Sequence, residues 1–193
     1  MKPLLFFLAI FLCISCDLFK TRDPESPTQS SSSYIPATEP SIVFTNMANA
    51  IRDLNTVNYL KSFADSSSAG RSLRFDPTTQ AGSRYGGVFL NWTKQSEQQY
   101  FENMKSKVPS GRNVSLEFLS LVGSPQGDSS QYNATYQLTV QHTQSNIAIQ
   151  VRGQSQFFLM TDRSRNWVIW RWVDVQQNAN DSTWSDVKGA FGQ

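Results

Sequence analysis

The sequence predicts an α+β domain carried on a polar leash, and three patterns predict it. Apolar residues recur at helical spacing between Thr38 and Lys107, and they alternate with a period of two from Arg112 to Val175. Residues 21–40, by contrast, combine four prolines with a Ser/Thr-rich stretch and offer almost nothing to bury, so they are expected to stay extended and mobile. The roughly 150 residues that follow are the usual size of one domain.

The chain opens with the basic Met1-Lys2-Pro3 and an apolar run from Leu4 to Ile14. That run is shorter than the roughly 20 residues a membrane-spanning helix needs, and it has the shape of a secretory signal. It ends in Ile14-Ser15-Cys16, which resembles a bacterial lipobox, although Cys13 stands where a Leu is usual. The resemblance implies cleavage after Ser15 and acylation of Cys16. Residues 1–15 are then a signal peptide, 16–40 a lipidated tether and 41–193 the domain. A C-x-x-C redox or metal reading of Cys13 and Cys16 lacks its context, because the pair lies in an apolar leader and His142 is the only further soft ligand. No metal or other cofactor is implied. The expected address is the bacterial cell envelope, at the periplasmic face or outer membrane, with the bilayer as first partner.

The elements follow in order. Thr38-Glu39-Pro40 reads as a helix start, with Val43, Met47, Ala50, Ile51 and Leu54 on one face. Asn55 caps a second, short helix through Val57, Leu60 and Phe63, and a Ser/Gly loop closes it at residues 66–70. Arg71 to Phe75 is a brief strand stopped by Asp76-Pro77. After a Gly-rich loop, Thr93 to Lys107 is a third helix with Tyr100, Phe101 and Met104 as its apolar face. Val114, Leu116 and Phe118 then alternate until Leu119 and Leu121 shift face, the mark of a bulge. A turn-rich connection spans 123–129. Tyr132 to Val140 is a half-buried strand, and a third and fourth long strand run to Leu159 and from Trp167 to Val175 as an antiparallel meander.

This order of three N-terminal helices on a strongly curved antiparallel sheet resembles the nuclear transport factor 2-like, or cystatin-like, fold shared with ketosteroid isomerases. The local resemblance lies in the strand, polar turn and strand G153-Q-S-Q-F-F-L-M-T-D-R-S-R-N-W-V-I-W-R-W-V-D174. The start C16-D-L-F-K and the ending T183-W-S-D-V-K-G-A-F191 resemble uncharacterised envelope lipoproteins with this domain. The fold implies a conical cavity under the helices, which can hold a ligand, a catalytic site or packed side chains.

Candidate residues divide accordingly. For the cavity they are Arg171, Tyr132, Tyr136 and Asp76, with Asp174 beside them. Arg171 either anchors an anionic ligand or pairs with a carboxylate such as Asp174, Asp76 or Glu117. Ketosteroid isomerase chemistry needs a tyrosine and a protonated acid in an apolar cavity, but no matching spacing is found. His142 reads as a solvated strand-end residue. Simple alternation puts Trp167, Ile169 and Arg171 on one face of the last strand and Trp170 and Trp172 on the other. Trp170 and Trp172 then mark a homodimer or envelope-protein interface, or else lie under Trp184 and Phe191. A net charge of only +2 with no basic stripe argues against a nucleic-acid partner. The expected role is non-catalytic binding or assembly, with a cavity ligand or an isomerase- or hydrolase-type enzyme as alternatives.

Overall fold

A computed structural model describes residues 33–193. The expected signal, Cys16 and the expected tether up to residue 32 lie outside the described residues. No helix among the described residues is long and apolar enough to cross a membrane.

The chain enters the domain earlier than its composition suggests. The Asn46 side chain accepts from the Ile35 N–H (2.9 Å) and donates to the Ile35 carbonyl (2.6 Å), while the Trp167 N–H reaches the Ala37 carbonyl at 2.7 Å. Backbone hydrogen bonds therefore hold residues 33–37 on the domain, with little apolar burial beyond Ala37.

Helix α1 (Pro40–Arg52) starts on its proline and buries Val43, Phe44, Met47, Ala50 and Ile51. The Asn55 side chain caps α2 (Thr56–Leu60), accepting from the Asn58 N–H. Two short helices stand where loops are expected. They are α3 (Ser66–Ala69), capped by Asp65 and closed by Gly70 in the left-handed region, and α4 (Thr79–Arg84), capped by Thr78. Between them lies β1 (Arg74–Asp76), and α5 (Lys94–Ser106) follows with a Thr93/Ser96 capping box.

The long strands are β2 (Val114–Gln126), β3 (Ser129–Val140), β4 (Gln150–Thr161) and β5 (Trp167–Val175), in the sheet order β1-β5-β4-β3-β2. The meander is antiparallel as expected, and β1 adds a parallel pairing to β5 with Phe75 opposite Trp172. The turn-rich stretch is strand almost throughout. Only Gly127 and Asp128 separate β2 from β3, with Gly127 at φ 61°, the first-position glycine of a two-residue hairpin turn. Two bulges break the ladders. The expected one is at Leu119; the other is at Trp170, where Phe158 pairs with Arg171 but Leu159 already pairs with Ile169. This second bulge overturns the simple alternation in β5. Ile169 and Trp172 both face the helices, and Trp170 is turned away from them.

The chain ends in α6 (Trp184–Phe191), which packs against α4, α5 and β4. Only Ala190 of its eight residues is not buried. The helix therefore lies in the space between the sheet and the other helices, where the fold leads one to expect a cavity.

Candidate functional site

Two features of the sequence build the interior. On α5, Glu97 falls on the same face as Tyr100, Phe101 and Met104, spaced by three, four and seven residues; on α6, Lys188 falls with Trp184, Val187 and Phe191 at the same spacings. Both charged residues are thus carried inward, and both are 0% exposed. The Lys188 ammonium donates to Glu97 Oε1, which also accepts from the Tyr59 hydroxyl at 2.5 Å, while Oε2 accepts from Trp92 Nε1–H at 2.6 Å. Around the ammonium stand the rings of Trp172 (4.3 Å to the centroid), Tyr100 (4.7 Å) and Phe75 (4.8 Å), with Trp92 and Trp184 just beyond. Burial pulls the Lys188 pKa down to about 8 against the opposing pull of Glu97. Burial first, then the Glu97 charge, raises the Tyr59 pKa well above its usual value.

A second buried network lies beside it. Asp174 Oδ1 accepts from the Tyr136 hydroxyl (2.8 Å), and Oδ2 accepts from the Ser185 hydroxyl (2.6 Å) and N–H (2.8 Å). The Tyr136 oxygen accepts in turn from the Trp184 N–H, and Trp172 Nε1–H donates to Ser155. Burial pushes the Asp174 carboxyl upward, with the Ser185 and Tyr136 hydrogen bonds opposing. Tyr136 can sit here because position 153 is glycine: a Cβ there would come within 2.5 Å of the tyrosine hydroxyl.

The cavity candidates separate. Tyr136 reaches the interior and meets Asp174, whereas Tyr132, on the same face, packs on the Phe44 ring at 4.9 Å. Arg171 and Asp76 form a pair at 2.7 Å on the opposite side of the sheet, with Arg74 also on Asp76 at 2.9 Å. Arg171 therefore has the carboxylate partner that was one of its two expected readings, and it does not point into the interior. Trp172, expected on an exposed face if not under Trp184, is 0% exposed and meets the Trp184 ring at 4.5 Å. Trp170 is half-exposed, between Arg71 (4.8 Å) and Phe158 (5.9 Å). His142 corrects another expectation: it is 8% exposed, packs on Phe191 and accepts the Gln144 N–H through Nδ1.

Sequence reasoning missed Glu97, Lys188 and Ser185. The signal was present, because Thr183-x-x-Asp186 is a capping-box pattern ahead of an apolar stripe, and Glu97 sits on an apolar face. Chemically the two networks are saturated. Each carboxylate and phenol that could act as acid or base is engaged by another group of the chain, and of the two networks only Ser155 and Trp92 border a main groove among the described residues. No group of three His, Cys, Asp or Glu among the described residues is placed to hold a metal ion.

Solved structures similar to this chain include a nuclear transport factor 2-like protein of unknown function from Pseudomonas putida KT2440, with a TM-score of 0.52 and 12% identity over 72% of this chain and 84% of that one. A protein of unknown function from Mycobacterium tuberculosis gives a TM-score of 0.50 and 14% identity, covering 79% and 82%. A conserved protein from Planctomyces limnophilus DSM 3776 gives 0.50 and 14%, covering 69% and 89%. No protein-family model matches the chain, and no curated protein matches its sequence. At these identities the likeness shows the fold: the domain has the nuclear transport factor 2-like architecture.

Proposed function

We propose that the chain is a lipid-anchored protein of the bacterial envelope whose domain is a non-catalytic binding or assembly module, working from the helix-free face of its sheet. The observation that carries this reading is the occupation of the interior by α6, with Trp184 and Lys188 set among the core rings. A domain that fills its own cavity offers its outside, and the outside here is a wide sheet face, mostly of uncharged polar residues, with Glu117 and Arg152 flanking Gln137. Asn133, Thr135, Gln137, Gln154 and Gln156 line it, and the Trp170, Phe158 and Arg171 stack lies towards one end. Trp and Arg are favoured where partners bind.

Anchoring is tested by metabolic labelling with a palmitate analogue. Label incorporated into the wild type and lost in Cys16→Ser supports it, and equal labelling overturns it. The binding role is tested by native mass spectrometry of the detergent-solubilised chain, alone and with envelope extract. A homodimer or a stoichiometric adduct that Trp170→Ala weakens supports the reading; association unchanged in that variant removes this face as the site.

A further inference from the structure

The bulge at Trp170 has a consequence for ligand chemistry. Of the five tryptophans, four are buried and Trp170 alone is turned half out, because the extra residue in β5 breaks the alternation. Bulges commonly re-aim a side chain beside a functional site. The turned-out ring forms one wall of an open groove of about 560 Å³. Arg71 from the loop before β1, Gln126, Asp128 and Ser129 from the β2–β3 hairpin, and Met160 of β4 form the rest. Three regions distant in sequence converge there: the loop before β1, the β2–β3 hairpin and the β4–β5 hairpin.

We propose that this groove binds a neutral saccharide. The inference rests on the binding role proposed above and names its ligand class. The wall groups divide by hydrogen-bonding capacity. Asp128 only accepts, Arg71 only donates, the Gln126 amide does both, and the Ser129 hydroxyl, which donates to the Gln126 carbonyl at 3.1 Å, accepts. One carboxylate and one guanidinium leave the groove without net charge, so Asp128 disfavours an anion and Arg71 a cation. A purely apolar ligand would desolvate four polar groups without replacing their hydrogen bonds. What fits is a ring with an apolar C–H face to lie against Met160 and the part of the Trp170 ring that Arg71 leaves uncovered, and with hydroxyls at its rim, each able to donate and accept. A pyranose has that distribution. Arg71 lies over the Trp170 ring at 4.8 Å and covers part of it.

The test is isothermal titration of the full chain in detergent with maltotriose and with tri-N-acetylchitotriose, to millimolar concentration. The expected result is saturable binding of at least one sugar, weakened about tenfold or more in Trp170→Ala and in Asp128→Ala. Both variants are to unfold in a single cooperative urea transition, with an unfolding equilibrium constant within about fivefold of wild type, which shows that the loss is local. Absence of saturable binding by either sugar overturns the saccharide assignment, as does equal binding by Trp170→Ala. If the sugars fail while Trp170→Ala still abolishes a protein adduct, the ligand is a protein and the broader binding role stands. If Trp170→Ala changes neither, both readings fall.

Discussion

Lys188 and Glu97 form an ion pair that is wholly enclosed, joining the C-terminal helix to α5 inside a ring of aromatic side chains. Removing a buried charge costs most when its partner is left without compensation. Glu97→Ala strands the ammonium and takes the acceptor from Tyr59 and Trp92, so it should cost about 3–5 kcal/mol in urea unfolding. Lys188→Met leaves a carboxylate still bonded by those two donors and should cost less. If Lys188→Met proves the more damaging change, the network is not organised around Glu97.

The pH dependence follows from the same burial. In the folded state Lys188 titrates near 8, against an ordinary lysine value of 10.5. Between those values the unfolded chain binds more protons, so the Lys188 contribution to stability rises with pH. Tyr59, Tyr100 and Tyr136 are raised from 10.0, chiefly by burial, so above pH 10 the native state keeps protons that the unfolded chain loses, and stability falls. Urea midpoints should therefore climb from pH 8 towards about 10 and drop beyond it. In Lys188→Met the climb should shrink to the part Lys94 contributes, whose pKa burial also lowers, and the drop should remain. Asp174, also raised, acts in acid: its contribution is greatest below pH 3.8 and declines as pH rises through its folded value.

The two neighbouring tryptophans should behave oppositely. Trp172→Ala empties a fully buried site and should cost about 3–5 kcal/mol. Trp170→Ala should cost no more than about 1 kcal/mol while weakening association. Urea unfolding paired with native mass spectrometry separates the two effects, and equal stability losses would contradict the bulge.

Gly153 and Tyr136 should be coupled. Gly153→Ala pushes a methyl against the tyrosine hydroxyl and should cost about 1–3 kcal/mol by overpacking. Tyr136→Phe removes that hydroxyl along with its bonds to Asp174 and Trp184, at about 1.5–3 kcal/mol. A double-mutant cycle should give less than the sum, since the closest of the methyl's contacts is then removed and the ring carbon at 2.9 Å remains. Strict additivity would mean that the two sites do not touch.

Elements whose period is set by one neighbour were legible in the sequence. The α1 stripe from Val43 to Ile51, the Asn55 cap, the Leu119 bulge and the in-and-out alternation of β3 stand where the residues put them, while Leu54 falls just past the helix end. What was not legible depends on long-range packing. The Trp170 bulge follows no local pattern, because Ile169 and Trp172 are drawn inward by Phe63, Phe157 and Trp184, which come from three other segments. The burial of α6 was hidden for a related reason. A helix carrying Asp186 and Lys188 reads as a surface element until Glu97 is seen to meet the lysine and Arg84 the aspartate. The pairing of Arg171 with Asp76 was readable as one of two options, and only the parallel β1–β5 register decides it.

The account depends most on α6 being part of the core, and native-state hydrogen exchange measures that directly. The amides of Val187, Lys188 and Phe191 should be as protected as the centres of β3 and β4, and should lose protection only through global unfolding as urea is added. Exchange of these amides through a local opening, well below the global free energy, would contradict the account: the interior would then be an accessible cavity, and the case for the outer sheet face would lose its support.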